Sequence, residues 1–160
     1  MRNLLAILSL VTFFIACDSN RKFDEYQTID GGVWDQDSIY KFQFQVDDTI
    51  SQNNLFINLR NNKDYEFSNI FLITEMRFPD GYKVVDTLEY EMTDHLGNFL
   101  GAGYTDLKQN KLFYKENVRF NQSGIYNFSI EQAMRKGNQI QGLKSLQGIT
   151  DVGLRIEAVK

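Results

Sequence analysis

One cysteine, one proline, one histidine and one tryptophan occur in this 160-residue chain, and the first three scarcities each exclude something. With Cys17 alone there is no intrachain disulfide, so the fold holds without one even in an oxidising compartment. With one histidine, His95, beside that lone cysteine, a zinc site of the usual nitrogen and sulfur ligands is not expected. A hydrolytic triad also lacks its pieces. No Gly-x-Ser-x-Gly is present, and His95 reads as a solvated residue of a Gly-containing turn. The stretch GNFLGAG (Gly97–Gly103) lacks the Lys-Ser/Thr and the helix of a phosphate loop. Asp35, Asp37, Asp47 and Asp48 lack calcium-loop spacing. Glu75, Glu89 and Glu91 read as a solvent face, with no pair of carboxylates set across a groove. Basic charge is not in excess: 17 Lys and Arg against 21 Asp and Glu give a net charge of −4, which argues against nucleic acid. No cofactor, no metal and no catalytic residue are therefore expected. The single proline, Pro79, leaves long stretches free to form strands.

No apolar run reaches the ~20 residues of a membrane-spanning helix. The longest is Leu4–Ala16 in MRNLLAILSLVTFFIA, preceded by Arg2 and broken only by Ser9 and Thr12. A positive n-region and a short apolar h-region make a secretory signal over residues 1–16. Small Ala16 stands directly before Cys17, the arrangement a lipoprotein signal peptidase cleaves, although Phe14 occupies a position where leucine is usual. Cys17 is thus expected to become an acylated N-terminus. Several acyl chains hold a protein durably, since each buried methylene contributes ~0.8 kcal/mol. Loss of Arg2 with the signal moves the net charge from −4 to −5. The alternative is an ordinary signal followed by a buried or free thiol.

What is abundant is aromatic: thirteen Phe and eight Tyr. Such side chains suit pleated, half-buried surfaces. Period-two alternation marks Tyr40–Val46, Leu55–Arg60, Ile70–Phe78, Val84–Met92, Lys111–Phe120, Ile125–Ile130 and Asp151–Val159. The turns NNKD, PDGY, DHLGN and NQSG separate them. An irregularity inside Lys111–Phe120 suggests a bulge, and Gly137–Thr150 reads as a long loop. The expected fold is an all-β antiparallel sandwich of seven or eight strands, Greek-key or jelly-roll in order, with one short helix near Glu131–Lys136. The expected layout is a signal over 1–16, a lipidated N-terminus and tether over 17–36, and the sandwich over 37–160. Phe42, Phe44, Tyr126 and Phe128 are expected in the core.

Several blocks carry a resemblance that composition does not show. They are CDSNRKFDEYQ (Cys17–Gln27), NLFINLRNNKDYEFSNIFLI (Asn54–Ile73), DTLEYEM (Asp86–Met92), NKLFYKENVRF (Asn110–Phe120), GIYNFSIEQAMR (Gly124–Arg135) and GITDVGLRIE (Gly148–Glu157). Over them the chain resembles the gliding-motility lipoprotein GldH family of gliding Bacteroidota. The resemblance implies an envelope-anchored, non-catalytic accessory of the gliding machinery that works with other motility or secretion lipoproteins. It points to the outer membrane. DSNR after Cys17 is no dense acidic run of the kind tied to surface export, so the domain is expected to face the periplasm. Cys17 is the one functional position that carries over. A second reading stays open: a lipid-anchored sandwich that binds glycan or peptidoglycan; Trp34, Phe71, Phe99 or Tyr104 could stack on sugar rings or seat a partner. Partner docking calls for a contiguous exposed apolar patch of roughly several hundred Å²; glycan binding calls for a groove with coplanar exposed aromatics and convergent polar groups. Ser38, Thr49 and Thr87 also lie in Asp-Ser/Thr-apolar triplets that resemble O-glycosylation sites of exported proteins in this phylum.

Overall fold

Alternation turns one side chain in two inward, and here two such inward faces meet. The computed structural model describes residues 20–137 and 141–159. Its strands are β1 (Arg21–Thr28), β2 (Val33–Asp35), β3 (Tyr40–Val46), β4 (Gln52–Asn61), β5 (Asn69–Arg77), β6 (Lys83–Glu91), β7 (Lys108–Arg119), β8 (Gly124–Gln132), β9 (Ser145–Gln147) and β10 (Ile149–Ala158). One four-stranded sheet runs β1-β10-β4-β7 and the other β3-β8-β5-β6, all antiparallel, with β2 and β9 as a small separate pair. The pairs β1–β10, β3–β8, β4–β7 and β5–β6 nest inside one another. Eight strands nested in that way over two sheets form a jelly roll, a connectivity that the sequence left open between two orders.

The core takes the stripes as expected. Phe42 and Phe44 of β3, Leu55, Ile57 and Leu59 of β4, Ile70 and Leu72 of β5, Tyr126, Phe128 and Ile130 of β8, and Val152, Leu154 and Ile156 of β10 are all buried. Aromatic rings interlock at one end: Phe44 stacks on Tyr126 at 5.6 Å, and Phe120 meets both edge-on. β4 is buried on both faces, because charged side chains roof its outer one. Lys111 Nζ lies 4.0 Å over the Phe56 ring, and Arg155 joins Asp24 of β1 to Glu157. The β6/β7 side is laced shut: the Tyr90 hydroxyl donates to the Phe113 carbonyl and the Tyr114 hydroxyl to Asp86. The irregularity in β7 is a bulge against β4, with Asn117 in the left-handed region (φ 54°) and its N–H bonded to the Asn54 side chain.

Three expectations change. The sandwich begins at Arg21, not at residue 37. Residues 21–28 of the expected tether form edge strand β1 along β10. The alternation of β1 is hidden because Glu25 and Gln27 share its inward face with Phe23, opposite buried Leu154 and Val152, as an edge strand tolerates. No helix forms at Glu131–Lys136. Glu131 and Gln132 close β8 against Ile73 and Leu72 of β5. The Ala133 N–H then bonds to Phe71 O, and Gln132 accepts from the Met134 N–H and donates to Leu143 O. Those main-chain groups are bonded sideways and are not left for a helical ladder. The stretch read as a long loop contains β9, whose Leu146 faces Trp34 of β2, and both are fully buried. Gly148 makes the corner between β9 and β10. Its φ is +87°, and a Cβ there would lie 2.2 Å from the Tyr65 nitrogen.

Candidate docking surface

The strand order gives the sandwich two different ends. At one end lie Arg21, the β3–β4 loop (47–51), the β5–β6 turn (78–82), the β7–β8 turn (120–123) and the end of β10. At the other lie Thr28, the small β2/β9 pair, the β4–β5 loop and the long β6–β7 loop (92–107). That long loop carries Leu96, Leu100, Tyr104 and Leu107, all exposed; Leu96 is 82% and Tyr104 110% exposed.

The loop is built rather than merely long. Asp94 begins a turn whose carboxylate accepts from the N–H of Leu96 and from both the N–H and side-chain amide of Asn98, all at 2.8–2.9 Å. Those bonds, the Asn98 side chain's foremost, hold the Asp94 carboxyl below the usual range. Thr93 bridges Phe99, the Leu100 N–H bonds to buried Met92 O, and Ala102 and Gln109 exchange two main-chain bonds. At the loop's root, buried Asn110 donates to the side chain of buried Asn61 at 2.8 Å. Gly103 permits the tip: its φ is +141°, and a Cβ would meet Leu107 O at 2.5 Å. Fully burying a Leu side chain contributes about 1.5–3 kcal/mol, yet four large apolar groups in one ordered loop forgo it. This concentration of exposed apolar side chains in one loop makes it the candidate docking surface.

The remaining sequence candidates are dispersed. Trp34 is in the core, its indole N–H donating to Ser38 O at 3.0 Å, so it is no sugar platform. Phe71 and Phe99 are half-buried, and only Tyr104 of the four aromatics stands clear. His95 is exposed in the Asp94–Asn98 turn. Glu75 lies on the outer face of β5, bonded to Arg77 and Lys83. Ser38 and Thr49 are half-buried in loops; Thr87 is exposed on β6. Cys17 lies outside the described residues. Among those residues, no group of three or more His, Cys, Asp or Glu could hold a metal, and no helix is long and apolar enough to cross a membrane.

A cleft of about 390 Å³ opens between β1 and β3, floored by Phe23, Phe44 and Phe120. Its rim groups bond to one another: Gln45 to Asp47 at 2.9 Å, Lys22 to Asp48 at 4.0 Å, and Asp48 to the N–H groups of Ile50 and Ser51. Phe44 and Phe120 are buried under the cleft, so no exposed ring stands ready for a sugar. The apolar loop is thus the stronger candidate. In the sequence this loop shows as a Gly97–Gly103 stretch that fails as a phosphate loop, with Phe99 and Tyr104 as isolated aromatic candidates. The further signal was Leu96, Leu100 and Leu107 beside Tyr104 in a segment with neither strand nor helix period.

The family model described as GldH lipoprotein matches residues 21–156. A gliding motility lipoprotein GldH homolog of Christiangramia forsetii is 50% identical over 147 residues, 92% of this chain and 90% of that protein. The gliding motility lipoprotein GldH of Flavobacterium johnsoniae is 45% identical over 153 residues, 96% of this chain and 94% of that protein. Among solved structures, the infectious bursal disease virus VP2 subviral particle aligns with 84% of this chain at TM-score 0.35 and 14% identity. This chain spans 30% of that one. The Gx strain structure of the same virus gives TM-score 0.36 at 14% identity over 89% of this chain and 34% of its own. Scores this low bear on nothing functional.

Proposed function

The chain belongs to the GldH lipoprotein family, and from that premise we propose that it is a non-catalytic, lipid-anchored component of the gliding motility machinery. Its work is to dock another component of that machinery, a motility or secretion lipoprotein, through the β6–β7 loop. The observation that carries the reading is 45–50% identity to two gliding motility lipoproteins over nearly their full length. The exposed Leu96, Leu100, Tyr104 and Leu107 support docking as the mode of action. Cys17 bears the acyl chains, and the domain sits on the outer membrane facing the periplasm. Ala16-Cys17 after an apolar segment supports the first; the family resemblance supports the outer membrane, and DSNR after Cys17, no dense acidic run, supports the periplasmic side.

Expression of this chain in a Flavobacterium johnsoniae strain lacking its own GldH tests the reading. Restored colony spreading is expected from the wild type and none from Cys17→Ser, which should also fail to incorporate labelled fatty acid. Failure of the wild type, expressed and acylated, would overturn the motility assignment.

We also propose sugar on at least one of Ser38, Thr49 and Thr87. Thr87 has the best access, since it is exposed on an edge strand and a glycan needs a solvated site. Intact-mass measurement decides the matter. A mass explained by polypeptide and acyl chains alone sinks it.

A further inference from the structure

The length of chain between the anchor and the first fixed residue sets which end of the sandwich meets the membrane. Asn20 is held by its main chain: its carbonyl accepts from the Ala158 N–H at 2.8 Å, beside the start of β1. Three residue steps separate it from Cys17, and three steps span at most ~11 Å. The polar layer of one leaflet is about 5–8 Å thick. Given acylation of Cys17, which belongs to the function proposed above, the Arg21 end has no room to stand off from the lipid.

The surface chemistry fixes the attitude. The side formed by β1 and β3 shows Lys22, Gln27, Lys41, Gln43 and Gln45, and the outer face of the β1 sheet is a carpet of paired charges. The Arg21 end instead exposes Ile50 (78%) in the β3–β4 loop and Tyr82 (64%) in the β5–β6 turn. Exposed Arg21, Lys22, Lys83 and Arg119 stand around them, against Asp47, Asp48, Asp80 and Glu116. An aliphatic tip, a tyrosine and long basic side chains suit a headgroup layer. We infer that the domain stands upright on the bilayer, with Ile50 and Tyr82 in the headgroup region and the β6–β7 loop turned away from the lipid. Ten-residue strands such as β4 and β10 rise ~33 Å. The loop's apolar side chains are therefore held about that far above the lipid, where they cannot be spent on the membrane. The same geometry crowds Thr49, next to Ile50, and makes it the poorest of the three glycan candidates.

The test uses the acylated mature protein in vesicles of phosphatidylethanolamine and phosphatidylglycerol. Since Cys17 is blocked by acylation, single variants Ile50→Cys, Tyr82→Cys, Leu96→Cys and Tyr104→Cys each take one fluorophore. Flotation of the vesicles reports the anchor, and quenching by headgroup spin-labelled lipid reports the attitude. We expect at least threefold stronger quenching at positions 50 and 82 than at 96 and 104. Failure to float would remove the anchor and the orientation with it. Flotation with equal quenching at both ends, or stronger quenching at 96 and 104, would overturn the orientation alone. So would quenching at 50 without 82, because the domain would then lie on its β1/β3 side.

Discussion

Phe128 is fully buried on β8, its ring 5.3 Å from Tyr114. Truncation there removes a large apolar group from the packed core. Phe128→Ala is expected to cost about 3–5 kcal/mol, a large share of a typical 5–15 kcal/mol, and thermal melting reads it directly; an unchanged melt would put the ring outside the core. Single carboxylates matter in a different way. Hydrogen bonds from the Ser51 side chain and main chain and from the Ile50 N–H lower Asp48 to about 2. Burial pushes Asp86 and Glu157 up, but bonds from Lys115 and Tyr114 to the first, and from Lys111 and Arg155 to the second, outweigh it and leave both lowered. A carboxyl depressed by folding stabilises above its unfolded value, and that stability is lost as the pH falls through the folded value. Urea midpoints should therefore hold steady down to about pH 5 and drop between about 4.5 and about 2. A midpoint unchanged across that window would contradict the bonding seen at these three groups.

Element by element, legibility in the sequence followed how cleanly each strand separates two environments. β3 and β8 alternate buried and exposed side chains along their length, and period two reveals them. The hairpin of β5 and β6 was plain from PDGY, whose Asp80 accepts from the Tyr82 N–H. β1 was not legible: its eight residues carry four charges, and only its pairing with β10 makes it a strand. β2 and β9 are three residues each, too short for any period to show. The false helix arose because EQAMR has good helix formers, while the bonds of Gln132 and Ala133 to distant residues decide its backbone. Deletion of residues 21–28 separates the two views of the N-terminal segment. As an edge strand, its loss bares one side of β10 and should lower the melting temperature by ten degrees or more, on the order of 2–4 kcal/mol for a domain this size. A tether would be removed with no thermal effect. Nothing in the sequence orders the β6–β7 loop by periodicity. Its structure rests on the Asp94 turn and the backbone freedom of Gly103.

At the scale of the molecule, the proposed anchor and the proposed docking surface fall at opposite ends of the jelly roll: β1 begins at one end and the β6–β7 loop closes the other. The proposed role calls for no chemistry from this domain. It needs reach, and β-strands provide it with little flexibility. The central claim is that the β6–β7 loop is where the protein meets its partner in the motility machinery. The direct measurement is colony spreading of a strain lacking its own family member, complemented with the wild-type chain or with Leu96→Ser/Leu100→Ser/Tyr104→Ser. These side chains are exposed, so the variant should keep the wild-type melting temperature to within a few degrees and reach the membrane in equal amount. The account predicts that the wild type restores spreading and that the triple variant, present and folded, leaves colonies non-spreading. Full spreading by the triple variant would contradict it.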